Sequence, residues 1–232
     1  MEAVAAGLVV AVVVSVAAAL QVAGKLSILT ENEHASLTTA IQSLERKVTG
    51  ELVVIIADAS DTYRYIPTLW AALAALVLPA IFLLSPNGVD MARVYTVQVT
   101  LFFGLFFLFQ WGPVLRCVVP QSVMRERASR YAHEQFLAQG LHQTKNRCGA
   151  LVFISLMEHH IEIMADKGVA DNVDNGYWKQ TINSMAPLLK QGKTTNACSL
   201  AIEAVEEKLM QFAQRKSELP VENVLPDRVI EL

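Results

Sequence analysis

Leu101-Phe102-Phe103-Gly104-Leu105-Phe106-Phe107-Leu108-Phe109 contains no charged or hydrogen-bonding side chain and is the centre of an uncharged stretch from Val94 to Leu115. A helix needs roughly 20 such residues to cross about 30 Å of hydrocarbon, so the stretch reads as a transmembrane span. Upstream lies Ser85-Pro86-Asn87-Gly88-Val89-Asp90-Met91-Ala92-Arg93, a short segment of turn-forming residues. Before it, Tyr65 to Val89 is again uncharged, with its apolar heart at Leu69 to Leu84 and a proline at Pro79. The two runs predict a transmembrane hairpin over residues 65–118. A third uncharged run, Ala3 to Gly24, predicts an N-terminal transmembrane helix over residues 1–25. Trp70, Tyr95 and Trp111 stand near span ends, where amphipathic aromatics favour the headgroup region.

The composition agrees. The chain is 53% hydrophobic and 18% charged, against about a quarter charged in soluble domains, and the deficit is concentrated in these three windows. A net charge of −3 excludes a nucleic-acid partner, which would demand a broad basic surface. Cys117, Cys148 and Cys198 lack metal-ligand spacing and read as free thiols.

Arg116, Arg125, Arg127 and Arg130 follow the third run and Arg64 precedes the second. Basic residues are retained on the cytoplasmic side, which predicts a multi-pass protein with its soluble part in the cytoplasm and the hairpin loop outside. The first run starts Met1-Glu2, with no basic segment before it, and is long for a signal peptide. It is read as a retained anchor; a cleaved leader would turn the domain outward.

The soluble residues fall on both sides of the hairpin, at 26–64 and 119–216, with an extended tail over 217–232. Thr30-Glu31-Asn32-Glu33 has the pattern of a capping box. The helix behind it carries Leu37, Ile41, Leu44 and Val48 at helical spacing and is predicted to end at Gly50. Leu52-Val53-Val54-Ile55-Ile56 reads as a strand buried on both faces. After the hairpin, Gln121 to Gln139 predicts a helix with a basic face from Arg125, Arg127 and Arg130. Ala150 to Ser155 and Ile161 to Ala165 predict a β-hairpin turning at Met157 to His160. Two helices follow, one with Trp178, Ile182, Met185 and Leu189 on a face and stopped by Gly192. The other begins near Thr195 and turns Leu200, Ala204, Val205, Leu209 and Phe212 inward. The expected fold is α/β, a small αβα sandwich over a short mixed sheet, interrupted by the membrane hairpin.

Carboxylates gather after strands: Asp58 and Asp61 after the first, Asp166 and Asp171 after the third. If those two strands run in the same direction, all four emerge at one edge of the sheet, the side where α/β domains place ligands. A Ca²⁺ ion takes several oxygen ligands of this kind, which makes the four carboxylates, Asp61, Asp166, Asp58 and Asp171, candidate metal ligands; the alternative reading is that acidic residues after strands solvate turns and cap helices. Glu158-His159-His160 also suggests a metal, but neighbours on a tight hairpin point to opposite faces, and solvated turn histidines are the expectation. The sequence has no nucleophile elbow, phosphate loop, dinucleotide fingerprint or zinc helix, and no catalytic constellation is visible.

Gly50-Glu51-Leu52-Val53-Val54-Ile55-Ile56, Cys148-Gly149-Ala150-Leu151-Val152-Phe153-Ile154-Ser155 and Ile161-Glu162-Ile163-Met164-Ala165-Asp166-Lys167-Gly168-Val169 together resemble the TPM domain. Trp178 and the helix pair ending in Glu206-Glu207-Lys208-Leu209 fit the same pattern. Ser60-Asp61-Thr62-Tyr63-Arg64-Tyr65-Ile66-Pro67 and Leu225-Pro226-Asp227-Arg228-Val229-Ile230-Glu231-Leu232 look like signatures of the bacterial inner-membrane subgroup with a two-span hairpin inserted in that domain. The likeness covers about residues 28–232. It implies a small α/β fold attached to a membrane or standing in an organellar lumen, for some members a Ca²⁺ site in an acidic pocket, for plant members an acid-phosphatase activity, and for others an accessory role in membrane complexes. Carried over by position, Asp61 and Asp166 are the implied ligands. The expected function is that of an accessory or assembly factor for a membrane protein complex in the lipid bilayer, with a metal-assisted phosphatase at the Asp61/Asp166 edge as the alternative.

Overall fold

A computed structural model describes residues 28–83, 90–144, 147–213 and 229–232. The first apolar run, residues 85–89 of the hairpin loop and most of the tail expected over 217–232 lie outside the described residues. The chain forms two compact units, one comprising Thr62–Met124 and the other Ser27–Asp61 with Arg125–Leu232.

The second unit starts with α1, Glu31–Lys47. Its first turn is fixed by the predicted capping box: the Glu33 amide donates to Thr30 Oγ1 at 3.4 Å and the Thr30 amide to Glu33 Oε2 at 2.9 Å, satisfying two donors that a helix start leaves without intrahelical acceptors. The helix ends at Lys47 and is capped at Val48. Gly50, expected to end it, has a different role: a Cβ there would stand 2.7 Å from the Cys148 carbonyl oxygen, so only glycine lets the start of β1, Glu51–Ala57, lie against the start of its neighbour.

That neighbour is β2, Gly149–Ser155, which turns into β3, His160–Ala165, forming the predicted hairpin. The sheet has the order β3-β2-β1-β4. β1 and β2 run parallel, with Glu51 opposite Gly149 and Ala57 opposite Ser155; β3 is antiparallel to β2. The fourth strand, β4, is Val229–Glu231 and pairs parallel to β1. The sequence predicted only extended tail there, because three residues carry no readable alternation; their strand character comes from the β1 edge they lie on.

Both faces of the sheet are covered. Leu52, Val54 and Ile56 of β1, with Val152 and Ile154 of β2, pack with Leu37, Ile41 and Leu44 of α1. The same core takes Met185 from α7, Asn175–Lys190, and Cys198, Ile202 and Leu209 from α8, Thr194–Phe212. The opposite face, with Val53, Ile55, Leu151 and Phe153, packs against Ala128, Ala132 and Phe136 of α5, Gln121–Ala138. This double burial is why β1 and β2 read as unbroken apolar runs. Gly192, at φ +72°, adopts the left-handed turn that stops α7.

The other unit holds α2, Tyr65–Leu83, and α3, Met91–Phe109, packed on each other. Ala71 and Ala75, one turn apart on α2, are fully buried; side chains this small let helix backbones approach closely. The predicted span Val94–Leu115 is not one helix. It breaks at Gln110 and Trp111 and resumes as α4, Gly112–Val118. The cause is Pro113, which lacks the N–H that would continue the ladder but fits the first turn of a new helix. Among the described residues one helix, Met91–Phe109, is long and apolar enough to cross a membrane, and Tyr65–Val77 of α2 forms a further apolar stretch.

Candidate functional site

The direction of β3 decides where the predicted acidic site falls. Because β1 is parallel to β2 and β3 antiparallel to it, β1 and β3 run in opposite directions. Asp58 and Asp61 leave the sheet beside Ser155, and Asp166 leaves it beside Gly149. Seven residues of strand, roughly 20 Å, separate these ends. The single acidic edge expected from strands of equal direction is therefore not formed.

At its own end, Asp166 is 6% exposed and caps the short helix α6, Lys167–Ala170. Its Oδ1 accepts from the Lys167 amide at 2.7 Å and its Oδ2 from Arg147 Nε at 3.3 Å. Both oxygens are thus engaged in ordering the chain. Asp171 closes the same helix, its amide donating to the Lys167 carbonyl at 3.0 Å. Cys148 lies next to this group. Burial first, and the Asp166 charge second, push its thiol up, which suppresses the thiolate form that reactive cysteines need. Burial drives Cys198 up to about 12.

The β1 end is built differently. Backbone bonds from Leu156 to the Ala57 carbonyl and from Met157 to the Asp58 carbonyl, both 2.9 Å, tie the loop after β1 to the turn after β2. Glu158, 8% exposed, sits between them. The Ser60 amide donates to its Oε1 at 2.9 Å and the Ser155 hydroxyl to its Oε2. Ser60 Oγ in turn donates to Ser155 Oγ at 2.9 Å. Next along the chain, Asp61 Oδ2 meets Arg127 Nη1 at 3.1 Å, so one arginine of the predicted basic face is turned to the domain. Arg130 pairs with Glu126 at 3.0 Å.

A second polar group lies where β3 meets α5. His160 Nε2 and Glu162 Oε2 are 2.9 Å apart, and Ser129 Oγ donates to Glu162 Oε1 at 3.2 Å. Burial pushes the Glu162 carboxyl up, but hydrogen bonds from His160 and Ser129, with the His160 and His133 charges, outweigh it and hold it below its ordinary value. His160 is thus half-buried and paired, contrary to the expectation of a solvated turn residue. The strand period could have revealed this, since positions i and i+2 share a face. The Ser60–Ser155–Glu158 group has no comparable signal, because its members come together only through the β1–β2 pairing.

Among the described residues, no three or more histidine, cysteine, aspartate or glutamate side chains stand close enough to hold a metal ion. Asp61 is paired with arginine, Asp166 has both oxygens committed, and the two lie at opposite ends of the sheet. As arranged, these carboxylates do not fit a shared Ca²⁺ site. What the β1 end can do chemically is hold a loop: a buried carboxylate and two hydroxyls fix the segment through which the chain leaves the sheet.

Residues 114–208 match the sequence profile of the TPM domain. The match starts inside α4 and ends within α8, so it takes in α5, the β2–β3 hairpin and α7 and omits β1 and β4. It is narrower than the span of about 28–232 expected from the motifs. The NMR structure of the BA42 protein from the psychrophilic bacterium Bizionia argentinensis is similar to this chain with a TM-score of 0.54 at 17% identity. That similarity covers 90% of this chain and 99% of BA42, and at such an identity it speaks for the fold. No curated protein matches the chain.

Proposed function

We propose that the chain is a membrane-anchored module with a TPM-like domain, of the type that has a two-span hairpin inserted in it, and that it serves as an accessory or assembly factor of a membrane protein complex. The observation that carries this is the solvent-facing apolar surface of the helices placed, in chain order, between β1 and β2. On α2, Leu69, Trp70, Leu76 and Val77 are more than half exposed; on α3, Met91 and Tyr95 are as well, and Val97, Phe103 and Leu108 nearly so. No residue of the apolar window in α3 is buried within the structure. Apolar surface on this scale is unfavourable in water and matched by hydrocarbon.

Inserting spans between two adjacent strands of one sheet ties the soluble unit to the bilayer through both halves of the domain, which suits docking to a partner. The phosphatase alternative required Asp61 and Asp166 at one edge, an arrangement the antiparallel β3 does not provide. The basic residues after α3 further support a cytoplasmic soluble unit. The pairing of Arg127 and Arg130 with acids does not weaken this, because the retention of Lys and Arg depends little on neighbouring carboxylates.

Two experiments test the proposal. Affinity purification after mild solubilisation is expected to recover a stoichiometric membrane partner, and a lone monomer in several detergents would count against it. For orientation, Ser217→Cys in a variant lacking the three native cysteines is expected to resist an impermeant maleimide in intact cells and to react after lysis. Labelling of intact cells would place the soluble unit outside.

A further inference from the structure

The last described segment, Val229–Leu232, occupies the side of β1 that β2 leaves open, and every part of it is recognised. Val54, Ile55 and Ile56 of β1 pair with Val229, Ile230 and Glu231 in parallel register. Beyond the strand the ladder continues, the Leu232 amide donating to the Ile56 carbonyl at 3.0 Å and the Asp58 amide to the Leu232 carbonyl at 2.9 Å. Side chains alternate between the two cores: Val229, 2% exposed, enters the one built with α1, while Ile230 and Leu232 pack against the one built with α5.

The acidic position is read as well. Glu231 Oε2 accepts from the Ile28 amide at 3.1 Å and its Oε1 from the Leu29 amide at 3.3 Å. His34 Nε2 lies 2.9 Å from the Val229 carbonyl oxygen. Two backbone donors aimed at one carboxylate make a charge-selective contact, and backbone pairing with alternating pockets is the mode by which sheet edges bind extended segments.

We propose that this edge of β1, with Ile28, Leu29 and His34, is a strand-acceptor site for an apolar–apolar–acidic–apolar segment, and that two copies of the chain exchange Val229–Leu232 through it. None of the contacts depends on which copy supplies the segment. Val229 follows Ala213 by sixteen positions, a length of chain that spans up to roughly 50 Å when extended, enough to reach a neighbouring molecule. Exchange of an identical element is a low-cost route to a dimer.

Ile55 and Ile230 are register partners, at the spacing of adjacent strands, about 4.8 Å, which lies within disulfide range. The test uses full-length copies carrying Cys117→Ser, because Cys117 is exposed while Cys148 and Cys198 are buried. One tagged copy carries Ile55→Cys and a second, differently tagged, carries Ile230→Cys; the two are co-expressed and oxidised. The expected result is a disulfide-linked heterodimer above the collision level given by two copies of Glu134→Cys, an exposed position. Adding Glu231→Lys to the donor copy is expected to lower it about tenfold, the loss of a charge-assisted hydrogen-bond pair. A chain carrying both Ile55→Cys and Ile230→Cys, expressed alone, reports that the segment is seated on β1 by forming this disulfide, within one copy or between two. If that bond forms and no heterodimer exceeds the collision level, or if the heterodimer is indifferent to Glu231→Lys, the proposal is overturned. Failure of the doubly substituted chain to form this bond at all, within a copy or between copies, overturns it too, since the segment would then not lie on β1 of either copy.

Discussion

Glu158 is a carboxylate held almost out of water, and its two oxygens accept the Ser60 amide and the Ser155 hydroxyl. Removing such an acceptor leaves buried donors unsatisfied, which costs about 1–3 kcal/mol. Glu158→Ala is therefore expected to lower thermal stability by that amount in a detergent-solubilised sample followed by circular dichroism. Glu158→Gln, which keeps one oxygen acceptor, is expected to cost less, and equal losses would show that the carboxylate acts through its volume alone. Glu33 makes a different contribution. Hydrogen bonds from Thr195, first, and from Thr30 lower its carboxyl from 4.5 to about 2. A carboxyl whose folded value is depressed contributes stability above its unfolded value and loses it as pH falls toward the folded one. The difference in unfolding midpoint between the native chain and Glu33→Gln is thus expected to be full above pH 4.5 and to vanish near pH 2. A pH-independent difference would mean that the charge of Glu33 plays no part.

At the scale of elements, two glycines separate backbone necessity from tolerance. A Cβ on Gly50 would meet the Cys148 carbonyl at 2.7 Å and Leu209 methyls at 3.1 and 3.2 Å, so β1 and β2 would have to move apart at their first pair. Gly50→Ala is expected to destabilise the sheet by about 1–3 kcal/mol, as over-packing does. Gly104 in α3 has open space where its Cβ would go, and Gly104→Ala is expected to be neutral or to stabilise α3 by up to about 1 kcal/mol. Similar effects at both positions, in thermal unfolding of the two variants, would refute this assignment. The same residues show what the sequence could convey. The capping box at Thr30, the β-branched run Leu52–Ile56 and the stop at Gly192 are local signals, and each appeared in its expected place. Gly50 was legible as a break but not as a close approach, because the Cys148 carbonyl it accommodates is 98 positions away. β4 was missed for the same reason: its stability lies in β1, not in its own three residues. The candidate site suffered most, since the grouping of Asp61 with Asp166 depended on strand direction, which a lone strand does not encode. Only His160 with Glu162, two positions apart on one strand, could have been paired by inspection.

At the scale of the whole molecule, the three tryptophans make the membrane proposal measurable. Trp70 in α2 and Trp111 between α3 and α4 are 51% and 59% exposed, while Trp178 in α7 is 7% exposed and packed in the core with α1. Indole rings with a wet N–H and an apolar body settle at the headgroup boundary, and the two exposed ones flank the apolar helices in sequence. Chains keeping a single tryptophan, reconstituted in vesicles with lipids brominated at different acyl positions, give each ring a depth. Quenching is expected for Trp70 and Trp111, strongest with bromines near the headgroup, and absent for Trp178. If Trp111 alone were quenched, α3 would enter the bilayer without α2, a shallower attachment. If neither were quenched, the exposed apolar faces of α2 and α3 would have to be covered by protein, and the partner sought by co-purification would be the molecule that covers them.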